Sequence, residues 1–498
     1  METGEKIRFT FPNKPEYTPL IQGFVREVAQ NIGFQTGNLN QIDIAMEEAV
    51  SNVVAYTRDD ENPTFDVICE KIPGGIKIVL KEQGIPFDPD KVSKFRLDAD
   101  PGDMRMSGLG IYLINKVMDG VWFQNLGIQG KETIMVKYLP GKENFEELEK
   151  IQNNNPVEAI PITEKIEFDV RGMLDNEAIE VSRCAYKAHG YSFFDDHIYY
   201  PERLVEMIRS GQMISAVAVT KDNIFMGHSA LLFQHPDDVI AELTFAFVII
   251  EYRGQGALNR LVDHLFGVPK KRTLKGVYAY AVTNHLFTQK SMIKFGIFDC
   301  GLLLATSPNS WKFKGISDDT SQRISVALAF KYLELPARKT LYVPEHHREM
   351  TEKLFKNIGA PHEFVSNPIY DIAEIQPTSR ISTSQNELEG CAEIAVEEFG
   401  QDTVIELKRL VRKYNIGQVA ALNLFLRLDD PLICFFTTEI EKLGFFYAGI
   451  LPESHVGDVL ILQYLNNVGF DYDKVHLLTD VAKELLLYIQ KHDPNIIS

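Results

Sequence analysis

Twice in this chain a glycine-bearing turn opens an amphipathic helix. Gly108 and Gly110 precede a run whose apolar residues are Ile111, Leu113, Ile114 and Val117, and Arg253, Gly254, Gln255, Gly256 and Ala257 lead into a second such run. The first amides of a helix have no intrahelical partner, and glycines let another group come close to the backbone, so each start is a cradle for an anion such as phosphate. Strand-like segments precede both, which limits the chain to at least two α/β units. Its 498 residues agree, since a domain takes roughly 150. The pattern breaks at about 140–165, where charge, Asn and Pro mix between two strand-like runs; this is the expected linker.

Before that break, residues 6–11 alternate as a strand and 16–32 have helical periodicity that stops before Gly33. A second helix is expected over 39–57, with Ile42, Met46, Ala49, Val50, Val53 and Val54 as its apolar stripe. Glu48 and Asn52 stand four apart on it and present a carboxylate and a carboxamide in one direction. Such a pair is usually solvated surface. Here two strands (64–71 and 75–81) follow, then Glu82-Gln83-Gly84, a polar stretch rich in Asp, Gly and Met, and the helix opened by Gly108, Leu109 and Gly110. That order is far more specific than any one of its parts.

These residues resemble the GHKL ATP-binding fold, and within it the anti-sigma-factor serine kinases of bacterial partner switching. Glu-Glu-Ala-Val-Ser-Asn at 47–52 resembles their asparagine box, Gln-Gly-Ile-Pro-Phe-Asp-Pro at 83–89 their first glycine box, and the run from Gly108 to Asp119 their second. The resemblance implies an α/β sandwich that binds Mg·ATP, with Asn52 holding Mg2+, Glu48 as the catalytic carboxylate and Gly84 admitting the adenine. Gly108, Leu109 and Gly110 would cradle phosphate under a lid over about 88–107. One Asn suffices for an ion held mainly by phosphates. The family's adenine-reading Asp is Glu82 here, still a carboxylate able to accept from the adenine amino group. The long histidine-bearing helix of sensor kinases is not found upstream, which favours a serine kinase or a nucleotide-gated binder.

After the linker, strands are expected at 165–170, 213–220, 224–233 and 240–250, with a helix over 176–189. The last strand runs into the Arg253–Ala257 turn, followed by a strand at 276–282, Asn284 and a short helix stopped at Gly296. This run resembles the GNAT acyltransferase fold, whose turn binds the coenzyme A pyrophosphate. The resemblance implies contacts from Arg253, Gly254, Gln255, Gly256, Ala257 and Asn284, with the pantetheine lying along the fourth strand near Val248, and acetyl-CoA as the cofactor. A plain glycine-rich turn with an incidental Arg is the alternative. Glu242 falls where some relatives keep a general base, a strand-end surface Glu being the other reading. Met292 falls where many carry the Tyr that protonates the departing thiolate, a proton that Met cannot donate.

Beyond 345, a strand at 339–344, helices at 346–359, 387–413 and 437–443, and strands at 380–383, 418–428 and 458–464 suggest a degenerate second acyltransferase-like half without a glycine cradle. His346 and His347 are adjacent, so on a helix they diverge and read as surface rather than as metal ligands. The expected fold class is therefore α/β (α+β): a GHKL-type sandwich over 1–142, a linker over 143–162, a GNAT-like unit over 163–345 and its degenerate copy over 346–498.

Charge narrows the partners. With 69 Asp and Glu against 51 Lys and Arg, the net charge is −18, which repels nucleic acid and acidic bilayers. Cys69, Cys184, Cys300, Cys391 and Cys434 are odd in number and too far apart for zinc spacing, and they read as reduced core thiols. No apolar leader or span of about 18 residues is present, so a cytoplasmic location is expected. The favoured reading is a bacterial regulatory protein joining an ATP-dependent serine-kinase-like module to an acetyl-CoA-dependent acyltransferase-like module. Its partner would be an anti-anti-sigma or sigma-factor-like protein, and a homodimer is compatible with the chain. The alternative is a protein that senses nucleotide and acyl-CoA and captures a partner without turnover.

Overall fold

The computed structural model describes residues 3–56, 64–82, 109–125, 130–142, 164–189, 196–267, 273–308, 322–369, 375–386 and 389–496. The first unit runs β1 (Lys6–Pro12), α1 (Thr18–Ile32), α2 (Thr36–Tyr56), β2 (Thr64–Ile72), β3 (Gly75–Glu82), α3 (Leu109–Val117), β4 (Gly120–Asn125) and β5 (Lys131–Tyr138). Its strands form an antiparallel sheet in the order β1-β2-β3-β5-β4. Gly33 ends α1 at a φ of 115°, a conformation that suits glycine, and its amide closes onto Ala29 and Gln30. The expected stripe of α2 is the one that packs: Ile42, Met46, Ala49, Val50 and Val53 are buried with Ile21, Val25 and Ile114, against Val67, Cys69, Ile78 and Leu80 of the sheet.

The second sheet is built from β6 (Phe168–Gly172), α4 (Ala178–His189), α5 (Pro201–Ser210), β7 (Met213–Thr220), β8 (Phe225–Leu232), β9 (Ile240–Val248), α6 (Ala257–Gly267), β10 (Gly276–Val282), α7 (Phe287–Lys294), β11 (Phe298–Ser307) and β12 (Ile324–Tyr332). A short parallel pair, β13 (Thr340–Tyr342) and β14 (Glu363–Val365), brackets α8 (Arg348–Asn357). Then come β15 (Arg380–Asn386), β16 (Cys391–Glu398), α9 (Thr403–Ile416), β17 (Ala421–Arg427), α10 (Ile433–Glu441), β18 (Phe446–Ser454), β19 (Gly457–Leu465) and α11 (Asp480–His492). Twelve strands join in one sheet, in the order β15-β16-β17-β19-β18-β11-β12-β10-β9-β8-β7-β6.

That order contains the same pattern twice. An antiparallel pair, a parallel step crossed by a helix and a closing antiparallel pair occur in β8-β9-β10-β12-β11 and again in β15-β16-β17-β19-β18. The repeat corrects one expectation: 387–413 is not a single helix, because β16 occupies its first part. Glu389, Glu393 and Glu397 are spaced like a helical face, but Ala392, Ile394 and Val396 are buried between β15 and β17, and sheet packing outweighs local spacing.

The two patterns meet where β11 and β18 pair at Gly301 and Gly449. A Cβ on Gly449 would collide with the Gly301 Cα and lie 2.6 Å from the Cys300 carbonyl oxygen. Gln463 ties the seam from β19, accepting from the Leu304 amide at 2.8 Å and donating to the Leu304 carbonyl at 3.0 Å and to Asn423 Oδ1 at 3.0 Å. All five cysteines are free thiols, and four of them are buried. No helix among the described residues is long and apolar enough to cross a membrane.

One irregularity shapes the middle of the sheet. β9 and β10 pair only from Gly276 to Tyr278, opposite Ile240 to Glu242, and then separate. On its other edge β9 carries a bulge, where Phe245 takes a φ of 51°. His228 of β8 serves the carbonyl that this bulge turns inward. Its Nδ1–H donates to the Phe245 oxygen at 2.9 Å, while Nε2 accepts from the Ser215 hydroxyl at 2.7 Å. Burial lowers the His228 pKa from 6.5 to about 4, the Phe245 bond opposing the fall. Between those values the unfolded chain takes up a proton that the folded chain refuses, so stability is full above about pH 6.5 and is lost as pH falls towards 4, by about 3 kcal/mol in all. His228→Gln cannot titrate there. Its unfolding free energy, measured by urea titration, should change less than the wild type's between pH 7 and pH 4.5; identical slopes would remove His228 from the acid response.

Candidate functional site

In the first unit, α2 carries Glu48 and Asn52 one turn apart, and α3 arrives with Gly110 as its second residue. A Cβ on Gly110 would fall 2.5 Å from Glu48 Oε2 and 3.8 Å from Asn52 Nδ2. The carboxylate and the carboxamide therefore converge on the start of α3, and glycine permits the approach. Beside them Asn52, Glu82, Ile114, Phe123, Lys131 and Thr133 line a cavity between the helices and the sheet. Glu82 ends β3, is 5% exposed, and pairs with Lys131 Nζ at 3.2 Å, the two residues facing each other in the β3–β5 register. An adenine amino group reaching this carboxylate would share it with Lys131, a partner that only the strand register reveals. Leu109 opens α3, whereas Gly84, Gly108 and the expected lid over 88–107 lie outside the described residues.

In the second unit, β9 passes through a short turn at Ile250–Tyr252 to Arg253, and α6 starts at Ala257. Gly254 and Gly256 have φ of 84° and 81°, and among the described residues no atom beyond each glycine and its chain neighbours lies within 4 Å of where a Cβ would be built on either. The turn thus presents open backbone just ahead of a helix start, as an anion cradle requires. Arg253 is exposed, its Nε 3.5 Å from the Val248 carbonyl. Gln255 serves the fold as well, since its side chain accepts from the Ile166 amide at 3.1 Å and donates to the Glu164 carbonyl at 2.8 Å, fixing the approach to β6.

The other expected residues distribute along the β9–β10 splay. Val248 ends β9, and Asn284 follows β10 with a buried Oδ1 that has no hydrogen-bond partner among the described residues. Glu242, 2% exposed, faces Tyr278 at the last rung before the strands part, so the surface alternative fails. Burial, followed by the charges of Glu242, Glu393 and Asp238, pushes the Tyr278 hydroxyl well above its usual pKa. Met292, 6% exposed, belongs to the apolar cluster with Ala281, Ile297 and Ala329. A Tyr in its place would overfill that core rather than supply a proton donor.

The reading of His346 and His347 as diverging surface residues holds for the exposure of His346 and is overturned for His347 and for the divergence. They sit on a turn, Glu345–His347, ahead of α8, with ring centroids 4.1 Å apart, and His347 is fully buried. Both imidazoles reach one carboxylate, that of Glu441, 94 residues beyond His347. No local spacing in the sequence carries that contact.

Comparison with known proteins bears on the two parts differently. Residues 11–137 match the family model for the histidine kinase-like ATPase domain. Over 162 residues, 32% of this chain and 96% of theirs, the chain is 27% identical to the serine-protein kinases RsbW of Bacillus cereus and Bacillus anthracis. A structure of spermidine N-acetyltransferase from Vibrio cholerae in complex with CoA and spermine aligns with 33% of this chain and 95% of its own length, at 14% identity and a TM-score of 0.26. The ribosomal-protein-S5-alanine acetyltransferase from Vibrio fischeri aligns with 34% of this chain and 96% of its own, at 16% identity and a TM-score of 0.26. With scores that low, the acyltransferase-like reading rests on the strand order, the splay and the glycine turn. The first unit of this chain carries a histidine kinase-like ATPase domain, similar to the RsbW serine kinases.

Proposed function

We propose that the first unit binds Mg·ATP and transfers the γ-phosphoryl group to a seryl hydroxyl of a regulatory protein, one of the anti-anti-sigma or sigma-factor-like kind. The observation that carries this reading is the convergence of Glu48 and Asn52 on Gly110. Asn52 offers a neutral oxygen suited to Mg2+; the bound ion would neutralise charge on the phosphates. Glu48 takes the proton of the seryl hydroxyl as its oxygen attacks phosphorus, and ADP departs. Glu82, shared with Lys131, accepts from the adenine amino group. Catalysis of this kind is mainly positioning and charge neutralisation.

For the region beyond the linker, we propose coenzyme A binding, with acetyl-CoA as the donor and an amine as the acceptor. Arg253 and the amides from Gly254 to Ala257 hold the pyrophosphate, and Val248 and Asn284 flank the pantetheine in the splay. Glu242 would relieve the attacking amine of its proton, and the departing thiolate would take one from water, since Met292 has none to give. The burial of Met292 also favours the second reading for this half, a binding module that senses acyl-CoA without turnover.

The kinase assignment and the coenzyme site are each open to test. Glu48→Gln should leave ATP affinity within about twofold of wild type while lowering partner phosphorylation ~10²- to 10⁴-fold. Gly110→Ala should keep the melting temperature within a few degrees, because only the end of the Glu48 side chain must move, yet lower transfer about 10²-fold by displacing that carboxylate. Phosphorylation unchanged in both variants would sink the kinase assignment. At the other site, calorimetric titration should show acetyl-CoA binding to the wild type and none to Gly256→Glu, whose bulk and charge enter the cradle. A wild type without affinity at millimolar acetyl-CoA would leave this half a scaffold.

A further inference from the structure

We propose that His346, His347 and Glu441 form a binding site for one divalent transition-metal ion of the zinc class. The imidazole Nε2 atoms and the carboxylate lie within 4.8 Å of one another. His346 Nε2 is 2.9 Å from Glu441 Oε2, and His347 Nε2 is 2.7 Å from Glu441 Oε1.

The hydrogen-bond accounting at His347 shows why a cation belongs there. Tyr488 donates its single hydroxyl hydrogen to the His346 carbonyl at 2.8 Å. Its oxygen is therefore the acceptor for His347 Nδ1–H at 2.7 Å. With the imidazole proton on Nδ1, the Nε2 lone pair of a neutral ring faces a carboxylate oxygen, a repulsive contact unless a positive centre stands between them. That centre is either a second proton or a metal ion. The ring is fully buried, where a second proton would set a charge out of reach of water. Glu441 meanwhile is the last residue of α10, the end of a helix where a negative charge is least welcome. Its carboxylate nevertheless lies against both imidazoles. The pocket is thus built around an anionic oxygen pair with two nitrogen donors aimed at it.

Two nitrogens and one carboxylate suit Zn2+ or Co2+ rather than Mg2+, which prefers oxygen throughout. Zinc bonded at ~2.0–2.1 Å to each donor sets them ~3.3 Å apart, so Glu441 would draw back by about half an ångström from His347. The His346 side chain, 40% exposed, gives an entry path and leaves a fourth position towards solvent. Tyr488 is a positioning residue: it fixes the tautomer of His347, as outer hydrogen bonds do for metal-bound imidazoles. The ion would clamp the turn ahead of α8 to α10, with α11 bracing the cluster through Tyr488.

The test uses full-length protein stripped with a chelator, without nucleotide, titrated with Co2+ and followed by its visible absorption. One Co2+ per chain should bind and be displaced by Zn2+. His346→Ala, an exposed position that the fold tolerates, and Glu441→Gln should each weaken binding at least ~10-fold, and Tyr488→Phe by ~10- to 100-fold. Zn2+ should raise the melting temperature of the wild type and not of His346→Ala. A wild type that shows no Co2+ absorption, or the same affinity in His346→Ala and Glu441→Gln as in the wild type, would overturn the proposal and leave a protonated His347 paired with Glu441.

Discussion

Where α3 starts against α2, the absence of a side chain at Gly110 leaves room for the Glu48 carboxylate. A methyl group there would stand 2.5 Å from Glu48 Oε2, so a side chain at this position would displace that carboxylate from the start of α3. The same approach seats Ile114 in the core under α2. Packing and chemistry are thereby joined: the apolar face of α2 holds the helix on the sheet, and its polar edge delivers Glu48 and Asn52 to the start of the next helix. Close packing leaves little slack in such an arrangement.

The larger sheet depends on a comparable economy of side chains. Gly301 and Gly449 let β11 and β18 meet without Cβ atoms between them, so a strand that would otherwise be an exposed edge in each half is covered by the other. Two edges remain, β15 and β6; β15 is mostly polar and exposed, and Arg380 on it pairs with Glu397 and Glu398. Away from the seam, the bulge at Phe245 and the hydrogen bonds of His228 hold β9 in the course that leaves β10 after Tyr278. The splay is thus built into the backbone of the sheet.

Local patterns were legible in the sequence where a single element determines them. The α2 stripe, the Gly254–Gly256 turn and most strands of the second sheet followed from periodicity and turn chemistry, and the motif order around Glu48 and Asn52 pointed to the ATPase domain that the family match supports. What depended on partners distant in sequence was not legible. The helix expected over 387–413 missed β16 because the strands that flank it are contributed from elsewhere in the chain. The pairing of Glu82 with Lys131 was not legible because the register that sets them opposite each other belongs to the folded sheet. His346 and His347 looked dispersed because the carboxylate that gathers them lies on a remote helix.

The central claim is that Asn52, beside Glu48 and against Gly110, holds the metal of a bound Mg·ATP. Calorimetric titration of the full-length protein with ATP, in Mg2+ and in excess chelator, tests it most directly. The account predicts tight binding that requires Mg2+ in the wild type, and weak binding in Asn52→Ala that Mg2+ does not improve. Equal ATP affinity with and without Mg2+ in the wild type would contradict it.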